Sequence, residues 1–267
     1  MIECRNLVKI YRTKDTETVA LQGFNLTVHD GEMLAVMGAS GSGKSTLLNI
    51  IGCLEEPSAG KLIINGTDIY RLSESERTEW RKHHIGFLKQ NSADNLLPYL
   101  TVLENVLVPM RLSGKPDKKK AESLLEAIGM VRFRDRPLAG LSGGEQQRVA
   151  IAVALAGEAE ILLADEPTGN VDRQTCDDVM RLLTTVCSGK TVLIVTHDTH
   201  LSSMVERVIE IRDGRLSGEK HVEREYAVLS PEGLLQIPKE LLVQAGITSD
   251  KITVSVRGQE IILTQQE

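Results

Sequence analysis

Gly38-Ala-Ser-Gly-Ser-Gly-Lys-Ser45 fits the spacing G-x-x-x-x-G-K-[ST]. Glycines at those positions let backbone N–H groups turn inward onto phosphate oxygens, a lysine reaches the β/γ oxygens, and the following hydroxyl can ligate Mg²⁺. The loop predicts nucleoside triphosphate binding by Gly38, Ala39, Ser40, Gly41, Ser42, Gly43, Lys44 and Ser45, with Thr46 directly behind them. About a hundred residues later, Leu141-Ser142-Gly143-Gly144-Glu145 leads into a helical pattern and forms a second anion-binding helix N-terminus. One nucleotide does not need two cradles. The economical expectation is that the second serves the γ-phosphate of a nucleotide held by another copy, so that ATP joins two subunits.

Two further sites carry titratable groups at the ends of apolar runs. Asp165-Glu166 follows Ile161-Leu-Leu-Ala164, which places both carboxylates at the carboxyl end of a buried strand. Asp165 suits the shell of a Mg²⁺ ion, and Glu166 suits acceptance of a proton from an attacking water. Found alone, such a pair is more often part of a helix N-cap region; the phosphate loop tips the balance. His197 lies in Thr196-His-Asp198 after Thr191-Val-Leu-Ile-Val195. A single histidine is more often structural than catalytic.

These residues need an α/β scaffold to converge. Apolar runs separated by turn signals cover residues 2–36, and the last of them, Met33-Leu-Ala-Val36, feeds the phosphate loop. A helix is expected from Thr46 to Gly52, then a turn at Pro57-Ser-Ala-Gly60 and a strand at Lys61-Leu-Ile-Ile64. Residues 95–139 read as a polar helical subdomain in which Pro116-Asp117 starts a lysine-rich helix. After Asp213-Gly214 the polar stretch from Arg215 to Glu225 reads as a loose linker, with a domain boundary at 220/221.

Bulk properties narrow the class. The longest nearly apolar stretch, Val149 to Gly157, falls far short of the ~18 residues a membrane span needs. Met1-Ile-Glu-Cys-Arg lacks a basic region followed by an apolar core, so the expectation is a cytoplasmic chain. Cys4, Cys53, Cys176 and Cys187 show no metal or CxxC spacing and read as small core residues. A formal charge of −6 opposes a role in coating nucleic acid.

In this setting the chain resembles the nucleotide-binding subunits of ABC transporters, whose LSGG(E/Q)Q signature is matched from Leu141 to Gln146. The resemblance runs over residues 2 to about 215 and is strongest to the macrolide-exporter and lipoprotein-release branch. It implies an α/β P-loop NTPase cassette over 1–220, with a helical subdomain at about 91–140. It also implies that Ser142, Gly143, Gly144 and Glu145 meet nucleotide across a dimer, that Tyr11 stacks on adenine, and that His197 contacts the γ-phosphate. Gln90 would link the γ-phosphate and Mg²⁺ to the helical subdomain, so the implied metal shell is Ser45, Gln90 and Asp165. Pro167 to Asp172 would form the loop that passes between subunits, Asp172 included. Two features depart from the branch: Lys89 replaces an aromatic residue before Gln90, and Asn91-Ser-Ala-Asp94 lengthens the spacer before Asn95-Leu-Leu-Pro98. The implied activity is ATP hydrolysis with Mg²⁺, and the implied partners are a second copy and separate integral-membrane permease subunits that hold the protein at the inner face of the membrane.

Residues 221–267 read as strand, short helix from Pro238, turn, strand, strand, which resembles the swapped-hairpin fold of AbrB/MazE-type proteins. A piece that small scarcely buries a core alone, so two interlaced copies are expected. That fold commonly binds DNA, but residues 222–267 hold four basic and seven acidic residues, which opposes a phosphate backbone. The rival reading of the whole chain is a soluble ABC ATPase with a DNA-binding or regulatory C-terminal domain. A single cassette with only a compact subdomain between Gln90 and Leu141 weighs against it.

Overall fold

The computed structural model describes the chain except for residues 15, 158, 169–172, 222–223, 228–234, 236, 238, 248–251, 259 and 266–267. Strands β1 (Ile2–Arg12) and β2 (Glu17–Val28) pair antiparallel; β3 (Met33–Met37) leaves them for a second sheet; β4 (Ala59–Ile64) and β5 (Thr67–Asp68) complete a four-stranded antiparallel sheet. In the second sheet β3 runs parallel with β6 (Ile85–Leu88), β7 (Ile161–Asp165), β8 (Thr191–Val195) and β9 (Arg207–Arg212). Two antiparallel strands, β10 (Arg215–His221) and β11 (Arg224–Ala227), extend its edge to the order β11-β10-β9-β3-β8-β7-β6.

The uninterrupted apolar runs are central strands because both their faces are covered. Along β8, Val192 and Ile194 face one core while Leu193 and Val195 face the other, and β7 divides Leu162 and Ala164 from Ile161 and Leu163 in the same way. Helix α1 (Lys44–Ile51) and the antiparallel sheet cover one side through Leu47, Leu48, Leu7 and Phe24.

Helix α2 (Glu74–His84) is started by a Ser73/Glu76 capping box. Helices α3 (Val102–Leu112), α4 (Lys118–Ala127) and α5 (Gly143–Ala156) form the helical subdomain around Val106, Met110, Leu125 and Val149. Each start is capped: by Thr101 with Glu104, by Asp117, and by Ser142 with Glu145. Helices α6 (Arg173–Val186) and α7 (Thr199–Ser202) complete the second side. All four cysteines are buried, and burial pushes the Cys4 thiol up to about 12.

The described residues of the expected linker from Arg215 to Glu225 lie instead in β10 and at the start of β11, in the main sheet. Lys220 and His221 of β10 are exposed, and the backbone of β10 pairs antiparallel with β9 through a register shift between Leu216 and Gly218. Arg207 fastens it: the guanidinium lies 2.8 Å from Glu219 and 2.9 Å from Glu32. The sheet therefore continues to Ala227, beyond the boundary expected at 220/221. After it come α8 (Lys239–Gln244) and an antiparallel hairpin of β12 (Ile252–Arg257) and β13 (Glu260–Gln265). Gly258, at φ +65°, opens the tight turn between them.

Candidate active site

The parallel strands β3, β7 and β8 end at a common cleft of about 660 Å³, where an open α/β sheet places its site. Its floor is the phosphate loop. Gly38 has φ +151° and Gly43 φ +108°; a Cβ would stand 2.3 Å from the Ile211 carbonyl oxygen at Gly38 and 2.4 Å from that of Ala20 at Gly43. Glycine is required at both by backbone approach as well as by φ. Lys44, only 8 % exposed, donates from Nζ to the carbonyl oxygens of Gly38 and Ala39, both at 2.8 Å. The side chain thus lies under the loop with its ammonium held at the loop's first arm. Ser42 Oγ is buried in the same loop with no hydrogen-bond partner among the described residues.

Asp165, the last residue of β7, accepts a hydrogen bond from Ser45, which couples the strand end to the first turn of α1. Burial pushes the Asp165 carboxyl above its ordinary range; the Ser45 bond opposes that, neighbouring Glu166 adds to it, and Lys44 draws it back. Glu166 adopts φ +48°, a region that costs energy for a residue with a Cβ. Its N–H donates to the Val195 carbonyl oxygen at 2.8 Å, so β8 holds the turn. The carboxylate, 12 % exposed, accepts from Thr196 Oγ1 at 3.3 Å and lies 2.7 Å from His197 Nδ1. A carboxylate accepts only, so Nδ1 carries the proton in this contact, and Nε2 has no hydrogen-bond partner among the described residues.

Tyr11 and Gln90 also line the cleft, so it gathers Tyr11, the loop, Gln90, Asp165, Glu166 and His197 as the motifs imply. Thr18 and Ala20 contribute a wall from β2 that no motif marks. Ser142, Gly143, Gly144 and Glu145 stand apart from it, at the start of α5. There Ser142 Oγ accepts from the Glu145 N–H at 3.3 Å, and the Glu145 carboxylate accepts from the Ser142 N–H at 2.8 Å. A Cβ added at Gly143 or Gly144 would meet nothing within 4 Å, in contrast to Gly38 and Gly43. Gln147 Nε2 donates to the Pro167 carbonyl oxygen at 2.7 Å and so ties α5 to the chain leaving Glu166. Asp172, with Gly169 and Asn170, lies outside the described residues.

Comparison with known proteins agrees with this geometry. Residues 21–169 match the family model of the ABC transporter. The chain is 45 % identical over 208 residues to the lipoprotein-releasing system ATP-binding protein LolD 1 of Rhodopseudomonas palustris, covering 76 % of this chain and 91 % of that protein. It is 41 % identical over 226 residues to the macrolide export ATP-binding/permease protein MacB of Pasteurella multocida, covering 83 % of this chain but spanning only 34 % of that longer protein. Among solved structures it is similar to the dimeric, post-hydrolysis state of the ATP-binding cassette MJ0796 bound to ADP and Pi, with TM-score 0.76 and 39 % identity over 83 % of this chain and 99 % of that one. No helix among the described residues is long and apolar enough to cross a membrane. The phosphate loop, the strand-end carboxylates and these relatives together make the chain a member of the ABC transporter family, an ATP-hydrolysing nucleotide-binding cassette.

Proposed function

We propose that two copies of this chain close head-to-tail around two ATP molecules and pass the motion of closing and reopening to separate membrane permease subunits. The observation that carries this reading is the separation of two phosphate-binding elements: a complete cleft on the sheet, and an open pair of glycines at the α5 N-terminus outside it. In this reading Lys44 and the loop amides hold the β- and γ-phosphates. Glu166 takes the proton from the attacking water, and His197, oriented by Glu166, meets the γ-phosphate. Tyr11 packs against the base, and Gln90 and Asp172 carry the state of the site to the neighbouring elements.

The donor set beside the phosphates suits Mg²⁺: Ser45 hydroxyl, Asp165 carboxylate and Gln90 amide oxygen are hard oxygen ligands, few enough to leave room for water and phosphate oxygens. Bound there, the ion would neutralise charge developing on the phosphates. The permease partner rests on the names of the relatives, one of which joins ATP-binding and permease functions in a single protein. It would place this cassette at the inner membrane face.

Gly144→Asp separates folding from closure. The new carboxylate sits in open space in the first turn of α5, where negative charge favours the helix, yet it opposes a phosphate presented by a second copy. The melting temperature should hold, while turnover falls by roughly 10²-fold, the usual scale for removing an oxyanion donor, and ATP-dependent dimers disappear. A variant that, truncated after Ala227, still passes from monomer to dimer on adding ATP would remove the α5 N-terminus from the composite site.

We also propose that the C-terminal segment, resembling an AbrB-type hairpin, joins two copies in the absence of ATP. What supports this is the amphipathic hairpin. Val254 pairs with Leu263 and Val256 with Ile261, which gathers apolar side chains on one face, and Val254, Val256 and Ile261 are 61, 75 and 69 % exposed. Opposite them lie Thr253 paired with Thr264 and Arg257 with Glu260. A two-stranded hairpin is marginal alone, and a second copy supplies the same apolar face. Because β11 belongs to the main sheet, truncation after Ala227 is the appropriate cut. Light scattering without nucleotide should give a dimer for the full chain and a monomer for the truncation. Two monomers would refute the tether, and tight, salt-sensitive duplex DNA binding lost on truncation would favour the rival regulatory reading.

A further inference from the structure

Glu55 is not part of any motif, yet it holds the aromatic wall of the cleft. Helix α1 ends at Gly52, and Cys53, at φ +56°, turns the chain back so that the N–H of Leu54 donates to the Asn49 carbonyl oxygen at 2.8 Å. The returning chain presents the Glu55 carboxylate to three groups. Asn49 Nδ2 donates to Oε1 at 2.8 Å, the Tyr11 hydroxyl donates to Oε2, and Lys9 Nζ lies 3.5 Å from Oε2. Lys9 in turn donates to the Glu56 carbonyl oxygen at 2.8 Å and stands 5.1 Å from the centre of the Tyr11 ring. The Tyr11 hydroxyl is also 3.3 Å from Thr46 Oγ1, one residue past the phosphate loop.

We infer that Glu55 is a positioning residue for nucleotide binding: it clamps the Tyr11 hydroxyl to α1 so that the ring stands ready as the surface on which the base packs. The inference rests on the reading that Tyr11 meets the base. Lys9 covers one face of the ring by cation–π contact, and Tyr11 remains 39 % exposed. Burial pushes the Glu55 carboxyl up, but hydrogen bonds from Tyr11 and Asn49, and Lys9 beside it, more than offset this, so it is held below its ordinary range and stays charged. An unclamped tyrosine would lose its side-chain freedom on each binding event, whereas a clamped ring has already lost it.

The test is steady-state ATPase kinetics on the full chain for Glu55→Ala, Glu55→Gln, Tyr11→Phe, the double variant Glu55→Ala/Tyr11→Phe, and Tyr11→Ala, with inorganic tripolyphosphate as a competitor that lacks a base. Glu55→Ala and Tyr11→Phe should each raise the KM for ATP about 3- to 10-fold, with kcat much less affected. The double variant should be no worse than the worse single, because both break one contact. Glu55→Gln, which keeps an oxygen for the hydroxyl, should recover most of the loss, and the inhibition constant of tripolyphosphate should stay constant throughout. Additive effects in the double variant, or a parallel weakening of tripolyphosphate, would overturn the clamp. If Tyr11→Ala raises KM while Glu55→Ala does not, only the role of Glu55 fails; if Tyr11→Ala leaves KM unchanged, the base-contact reading itself fails.

Discussion

Glu166→Gln is expected to slow ATP turnover by roughly 10²–10⁴-fold, the scale for losing a positioned acid–base group, while ATP still binds and the protein accumulates as an ATP-bound dimer. The replacement is nearly isosteric. It leaves the backbone at φ +48°, the N–H bond to Val195 and an oxygen that can accept from Thr196. What it removes is the negative charge and the proton-accepting oxygen next to His197 Nδ1. Phosphate release measures the first effect, and light scattering with and without ATP, on the variant truncated after Ala227 so that the proposed C-terminal tether does not itself hold two chains together, measures the second. If the proton passes instead to His197, Glu166→Gln should be mild and His197→Ala severe. Turnover of Glu166→Gln within a few-fold of the parent would take Glu166 out of its role.

The parts of this site that were legible in the sequence are those where local chemistry dictates local geometry. Gly38 and Gly43 read as a phosphate loop because backbone sterics admit nothing else there, and Asp165-Glu166 read as strand-end carboxylates because the apolar run before them has to be buried on both faces. Ser142-Gly143-Gly144 read as a helix start, and the structure adds a capping box between Ser142 and Glu145 that closes within four residues.

What was not legible depends on pairing between distant segments. The sequence from Arg215 to Glu225 carries no apolar alternation, and β10 within it is held by backbone pairing with β9 and by Arg207 of β9 bridging Glu219 of β10 and Glu32 just ahead of β3. Polar composition there signals a sheet edge, and composition alone does not distinguish an edge from a linker. Thr18 and Ala20 line the cleft only because β2 passes the phosphate loop. Glu55 is similar: it lies in the turn after α1 while its partners Lys9 and Tyr11 lie on β1, and its meaning arises when the end of α1 is folded back against β1.

Lys44→Ala should weaken ATP binding by roughly 10- to 100-fold, the range for losing a hydrogen-bonded charge, and its pairing with Gly144→Asp tests the shared site directly. Lys44 lies inside the cleft, whereas Gly144 lies outside it on α5. Each variant alone should fail to associate with ATP, the first because nucleotide is not held and the second because the facing element is blocked. In a head-to-tail mixed dimer, the Lys44→Ala chain still offers an intact α5 N-terminus to the intact cleft of the Gly144→Asp chain. One complete site re-forms, and the mixture should regain ATP-dependent association and part of the turnover. Were the α5 N-terminus to serve the nucleotide of its own chain, every chain in the mixture would carry one defect and nothing would be regained. Equimolar mixing of the two variants, each truncated after Ala227 so that they start as monomers, followed by light scattering and phosphate release distinguishes the two cases, and a mixture as inert as its components would refute the composite site.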